Sequence, residues 1–392
     1  MKWLIGLLCS AAFASDQDAL LLADQTSAAP VESSDWLLSV EGAWGRARLE
    51  HGYENTQRRS LDFRLDTRLA ADWRVVLADR LDGFGPGWQD PKSKVNTLKE
   101  AYVSWQPVDD MILDFGRINT RYGVGLGYNP SDYFKEGAVR SVVSVAPASL
   151  RENRQGSVML RGQKLWAGGA FTALISPKLA NYADRDAFSL DWGASNPRNR
   201  YLLALSQNGA ISSQFLIFGD ADSQPQLGLN LTGLLNDATV LHAELSTAKE
   251  GGRVYRLVSG LTWTSESKLS LSLEYQYDGG AKNAAEWQAL QGRPLQDYWR
   301  YRSEVQSRQS MLTRQATMAQ ARWPDLMPQL ELAAMWRHDL IDSSDMAWFE
   351  ARYHFKTVDV AWEWQLNRGN ALSQYGALPE RRSSSLSLKY FF

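Results

Sequence analysis

The chain has 392 residues and a formal net charge of -2, with 42 Lys and Arg against 44 Asp and Glu. That balance excludes a polycation built for nucleic acid, and no apolar run reaches the ~18 residues of a membrane-spanning helix. The 16 Trp, 15 Tyr and 13 Phe are abundant for a mean hydropathy of -0.37. Aromatic girdles around a polar interior give a lipid-embedded β-barrel that composition; an aromatic-rich soluble β protein such as a lectin or propeller is the competing class.

The N-terminus reads Met1-Lys2, then the apolar stretch Trp3–Leu8, then small residues ending in Ala12-Phe13-Ala14. A positive start, a short apolar core and an A-x-A site predict a secretory signal over 1–14, cleaved after Ala14. The single cysteine, Cys9, lies inside it, and Gly6-Leu7-Leu8 before it is not a lipoprotein box. The mature chain is thus expected to carry no cysteine, which removes disulfides and cysteine-based metal sites or nucleophiles. Residues 15–34 are small and polar and read as a flexible periplasmic leader, followed by one barrel domain over 35–392.

From Trp36 onward apolar residues keep returning at every second position. Leu61, Phe63, Leu65 and Leu69 alternate with Asp62, Arg64, Asp66 and Arg68; Leu269, Leu271, Leu273, Tyr275 and Tyr277 alternate with Ser270, Ser272, Glu274 and Gln276; Val358, Val360, Trp362, Trp364 and Leu366 alternate with Asp359, Ala361, Glu363 and Gln365. Period two marks strands with one apolar face, and four successive charges on the other face of one strand suit a water-filled lumen. The rhythm predicts strands at 36–48, 58–70, 72–82, 97–106, 110–117, 155–164, 165–175, 199–207, 213–219, 225–235, 238–248, 253–264, 268–278, 308–322, 329–338, 346–355, 357–367 and 381–392. The fold class is therefore all-β, a transmembrane up-and-down antiparallel barrel of about 18 strands, or about 16 if the weak strands near 199–219 merge. Short turns alternate with longer loops at 49–57, 83–96, 118–154, 176–198, 279–307 and 368–380. An even strand count puts both termini on the periplasmic side, and a barrel this wide leaves an aqueous channel.

The longest irregular stretch follows the fifth strand: Arg117-Ile118-Asn119-Thr120-Arg121-Tyr122-Gly123-Val124-Gly125-Leu126-Gly127-Tyr128-Asn129-Pro130-Ser131-Asp132-Tyr133-Phe134. Its three alternate glycines are no nucleotide loop, because an amphipathic strand precedes them and an Asn-Pro turn, not a helix, follows. The stretch resembles a segment of porin-like outer-membrane families, in which an arginine-bearing strand end leads into an aromatic, glycines and an Asn-Pro-x-Asp turn. That resemblance implies that 118–154 folds into the lumen as a constriction, with Arg117, Arg121, Asp132, Arg140, Arg151 and Arg154 as its pore-lining candidates; a surface loop whose glycines serve tight turns is the alternative.

The alternation also assigns a lumen wall, on which Asp62, Arg64, Asp66, Arg68, Glu100, Asp114, Arg161, Glu274, Arg314, Arg352 and Glu363 are the leading charges. Positive and negative positions balance, so no ring of one sign selects ions. The segment Arg293–Arg308 mixes arginines with Tyr298, Trp299 and Tyr301 and is expected to face solvent or lipopolysaccharide phosphates. The four histidines include no pair at His-x-x-x-His spacing and none with a serine two residues away. Catalysis, a metal and a cofactor are accordingly not expected.

The chain ends Ser385-Leu386-Ser387-Leu388-Lys389-Tyr390-Phe391-Phe392. A strand with apolar residues at Leu386, Leu388, Tyr390 and a final Phe392 resembles the closing strand of bacterial outer-membrane barrels. The resemblance implies that these four residues are read by the barrel-assembly machinery and that this strand pairs with the one near Trp36 to close the sheet. The expected function is porin-like passage of hydrophilic solutes across the outer membrane. The competing readings are an export channel for polysaccharide or lipid with a periplasmic export partner, and a plugged barrel serving as surface anchor or adhesin. Outer-membrane lipids and lipopolysaccharide are the surrounding partners in each case.

Overall fold

A computed structural model describes residues 34–85, 93–221 and 223–392. The expected signal and all of the expected leader except Ser34 lie outside the described residues. Eighteen strands run in chain order: β1 (Trp36–Leu49), β2 (Gly52–Ala70), β3 (Trp73–Phe84), β4 (Lys94–Val108), β5 (Met111–Ile118) and β6 (Ser157–Trp166). They continue with β7 (Gly169–Ser176), β8 (Arg200–Gln207), β9 (Ile211–Asp220), β10 (Gln226–Asn236), β11 (Thr239–Glu250) and β12 (Gly252–Thr264). The last six are β13 (Ser270–Asp278), β14 (Gln315–Met327), β15 (Leu330–Asp339), β16 (Asp345–His354), β17 (Val358–Arg368) and β18 (Arg382–Phe391). Each pairs antiparallel with its sequence neighbours, and β1 pairs with β18 from Ser39↔Phe391 to Arg48↔Arg382. The sheet is closed, and its seam is the one the terminal alternation predicts.

Alternation sets the two faces. On β11, His242, Glu244, Ser246 and Ala248 are buried toward the lumen, while Leu241 is exposed on the outside. Around the exterior stand Trp36, Trp44, Trp73, Trp105, Phe115, Trp166, Trp263, Trp336, Trp362 and Tyr390, all exposed. An outer surface of that kind belongs in lipid. Short turns gather at the end of the barrel that holds the beginning of β1 and the end of β18 (the turn end); long connections gather at the other (the loop end).

Two expectations about connections need correction. Residues 49–57 are not a loop: β1 and β2 pair to their tips, Leu49↔Gly52, around Glu50-His51. This part of the hairpin is polar on both faces, so it carries no alternating apolar signal. Residues 279–307 are not irregular either. Helix α2 (Ala284–Gln291) starts at a capping box in which Asn283 accepts from the Glu286 amide and Glu286 accepts from the Asn283 amide, and helix α3 (Leu295–Arg308) follows. The Asn283-x-x-Glu286 spacing is itself a helix-start signal. Because α3 reaches Arg308 and Gln309 turns left-handed (φ 51°), β14 begins at Gln315 and not near 308.

Candidate functional site: a loop pinned across the lumen

The connection between β5 and β6, residues 119–156, crosses the interior and docks on the inward faces of β10 to β15. Its glycines make this geometry. Gly123 has φ +93°, and a Cβ there would lie 2.7 Å from the Glu244 carboxylate; a Cβ on Gly125 would meet the Tyr128 carbonyl at 2.2 Å, and one on Gly127 would meet Gln276 and Met318. With no side chains in the way, successive amides turn onto two wall carboxylates. Val124 and Gly125 donate to Glu244 at 3.0 Å each, and Ser131 donates to it through its amide (2.6 Å) and hydroxyl (2.8 Å). Leu126 and Gly127 donate to Glu274 at 2.6 and 3.1 Å. The glycine run thus does cradle anions, as such loops do, but the anions are the barrel's own side chains.

The rest of the loop extends this grip. Tyr128 donates to Asp278 on β13 (2.8 Å), the Ser131 hydroxyl also reaches Asn230 on β10, and Tyr133 bonds Ser246. Tyr133 and Phe134 pack on Phe218 with Ile118, Met159, Leu174, Leu202 and Leu216. Leu126 joins Met318, Met335, Met346 and Trp348 on the far wall. Ser144 donates to Glu363 on β17 (2.7 Å), just before the single-turn helix α1 (Pro147–Glu152). Burial holds the Tyr128 hydroxyl well above the ordinary tyrosine range, with Asp278 adding to it. Burial likewise pulls the Lys135 ammonium, which donates to the Asn129 carbonyl at 2.6 Å over the Tyr128 ring, down to about 8.

The loop candidates separate into two kinds. Arg117, Asp132, Arg151 and Arg154 are buried and spend their charge inside the architecture. Arg117 donates to the carbonyls of Gly156, Asp191 and Trp192 and to Ser195. Arg151 reaches the carbonyls of Tyr122, Gly123 and Gly125, and Arg154 pairs with Asp132 at 2.5 Å. Arg140 ties the loop to the Asp186 carbonyl at the loop end. Arg121 is exposed to the lumen, where it senses the carboxylates of Glu152 and Glu100 together with Arg151 and Arg154. Glu152, exposed at the end of α1, also lies in the electrostatic reach of Lys389 on β18. Alternation could not find Glu152 or Lys135, because neither sits on a strand.

Opposite the loop, β1 to β4 carry a compact ion network. Arg80 lies 3.0 Å from Asp82, 3.1 Å from Asp62 and 3.6 Å from Glu41; Arg58 meets Glu41 at 2.5 Å, and Lys99 meets Asp62 at 2.9 Å. Glu41, not singled out from the sequence, shares its face with Ser39 and Ala43, so alternation is the signal that could have found it. Lys99 was not: the β3–β4 register shifts between Ala78 and Asp79, so Lys99 and Glu100 both turn inward. Elsewhere on the wall, Arg161 pairs with Asp114 (2.7 Å) and Arg352 with Glu350 (2.9 Å); Arg314, expected on the wall, precedes β14 and lies 3.5 Å from Glu286 of helix α2. Arg64 and Asp66 pair at 3.4 Å near the turn end, where Arg74 also meets Asp66, and Arg68 is exposed there. Among the histidines, His338 pairs with Asp345 and His354 with Asp359, both at 2.8 Å, and His242 stands buried 3.4 Å from Glu274. The Arg293–Arg308 segment is mostly helix α3, with Tyr298 buried against the 369–381 connection and Trp299 exposed.

A closed wide barrel with an apolar outside, a charged inside and a loop folded across its lumen defines an 18-stranded antiparallel β-barrel of porin-like fold. No protein-family model matches the chain, and no curated protein matches it in sequence. Solved structures do. Acinetobacter baumannii OccAB1 aligns over 94% of this chain and 99% of its own at 9% identity, with a TM-score of 0.56. Pseudomonas aeruginosa OccK5 (OpdH) aligns over 91% and 97% at 10% identity (TM-score 0.55), and Acinetobacter baumannii OccAB4 over 91% and 97% at 10% (TM-score 0.54). At such identity the likeness is one of fold.

Proposed function

We propose that the protein is a non-enzymatic outer-membrane channel for small hydrophilic solutes, its termini periplasmic and its passage set by the gap between the pinned loop and the β1–β4 wall. The observation that carries this reading is the placement of Arg121 and Glu152 on the loop, facing Glu100 and Lys389 beside the network of Glu41, Asp62, Arg80 and Lys99. A solute in that gap meets both signs of charge. Such a lining favours polar, hydrogen-bonding solutes over either ion class. Flux then follows the solute's own gradient, with no cofactor. An exporter of a polyanion would be served by a lumen of one sign; the paired wall favours the porin-like reading over it. Leu386, Leu388 and Tyr390 on β18 and Phe392 just past its end are exposed and, on this reading, present the signal to the assembly machinery.

Single-channel recording in planar bilayers tests the proposal. The wild-type barrel is expected to conduct, and deletion of residues 124–150 to raise its conductance severalfold. A silent wild-type barrel would overturn the channel reading in favour of a plugged anchor, and an unchanged conductance in the deletion would remove the loop as the restriction.

A further inference from the structure

The lipid-facing wall carries a cationic patch that the pore does not use. On β1 the even-numbered residues face outward, as the exposed Val40 and Trp44 show, and that parity continues through Arg46 and Arg48. The β1–β18 register sets Arg48 directly opposite Arg382, and the β1–β2 register sets Arg59 opposite Gly42 on the same outer face. All four arginines are exposed, and none pairs with a carboxylate among the described residues; Arg46 lies over the Tyr53 ring at 4.4 Å. Like charges set directly across a strand pair repel, and cations on the lipid face of a barrel are costly unless they sit near its rim. Arg46, Arg48 and Arg382 stand loopward of the apolar Trp44, Trp362 and Leu386, while Arg59, opposite Gly42, lies further back along the same outer face, level with Leu388. An anion supplied from the membrane surface would relieve the repulsion at this place.

We infer that Arg46, Arg48, Arg59 and Arg382 form a binding site for the phosphate groups of a phosphorylated glycolipid in the leaflet at the loop end. Guanidinium forks match phosphate oxygens two at a time, and acyl chains below the phosphates would lie along Trp44, Leu386 and Leu388. A cavity of about 590 Å³ adjoins the patch at the β1–β2 tip, lined by Tyr53, Glu54, Trp299 and Arg381 among others, and offers room for the sugar portion. The site uses the outer wall alone, so it stands or falls separately from conductance.

The test measures binding of fluorescent lipopolysaccharide to the detergent-solubilised full barrel. The variant Arg46→Gln/Arg48→Gln/Arg59→Gln/Arg382→Gln is expected to bind at least tenfold more weakly than wild type. Wild type should lose a similar factor toward lipopolysaccharide stripped of its phosphates, and Lys249→Gln/Arg253→Gln, an outward cation pair on β11 and β12, should leave binding unchanged. If the fourfold variant does not migrate as a folded barrel, Arg48→Gln/Arg382→Gln carries the same comparison with a smaller loss. Equal affinity of variant and wild type, or indifference to phosphate removal, overturns the site. Full competition by millimolar inorganic phosphate would also overturn it, by making the ligand a free anion and not a lipid.

Discussion

Two walls of the same lumen handle the same kind of residue in opposite ways. On β11 and β13, Glu244 and Glu274 are almost wholly removed from water and receive backbone amides of the loop. On β1 to β3, Glu41 and Asp62 receive the side-chain cations of neighbouring strands, and Asp82 that of Arg80 on its own strand. A buried carboxylate needs compensation either way. Compensation from a loop makes the carboxylate a clamp, whereas compensation within the wall ties strand to strand and stiffens the sheet. One wall therefore holds the obstruction in place and the other defines what is left open.

Removing the clamp should have the largest effect. Glu244→Ala combined with Glu274→Ala leaves the five loop amides of Val124, Gly125, Leu126, Gly127 and Ser131 without their acceptors, and hydrogen bonds to charged groups are worth ~1.5–3 kcal/mol each. We expect the loop to lose on the order of 5 kcal/mol of docking free energy, to become cleavable by added protease between 119 and 156, and to raise single-channel conductance toward that of the loop deletion. Protection equal to wild type would mean that the apolar contacts of Tyr133, Phe134 and Leu126 hold the loop unaided.

Breaking the other wall should act on selectivity before size. Arg80→Gln leaves Asp62, Asp82 and Glu41 with less cation, and breaking a buried ion pair costs ~3 kcal/mol or more. Reversal potentials in a salt gradient are expected to shift toward cation preference by a fewfold permeability ratio, with conductance nearly unchanged and a lowered melting temperature. A shift toward anions, or none, would show that solutes do not approach this wall.

The two walls also differ in how far they were legible. Strand number, the β1–β18 seam and the outward aromatics follow from period-two alternation, which any lipid-facing barrel must display. Alternation likewise put Glu274 and Glu363 on the lumen face, but it could not tell a clamp from a paired wall charge. That distinction depends on which loop atoms arrive, and the loop has no period. The Gly123-Val124-Gly125-Leu126-Gly127 run marked a backbone that approaches something closely without naming it, and Arg117, Arg151 and Arg154 read as free charges because their acceptors are mostly carbonyls distant in sequence. Lys99 was hidden for another reason: one bulge reverses the parity on which every face assignment rests.

The smallest effect is a pH dependence confined to the clamped side. Lys135 is buried in the docked loop with its pKa lowered from 10.5 to about 8. The docked state therefore binds fewer protons than the released one between those values, so docking strengthens as pH rises through that window and is weakest below it. From pH 8 to pH 10 the gain is on the order of 2 kcal/mol for this shift; above that range the buried Tyr128 opposes it, since release would let its hydroxyl ionise. Protease protection of the loop should rise over the window in wild type and stay flat in Lys135→Met. A rise of the same size in the variant would assign the effect to another group, and a fall in wild type would mean that the charged ammonium, through Asp132 and the Asn129 carbonyl, is what the docked loop prefers.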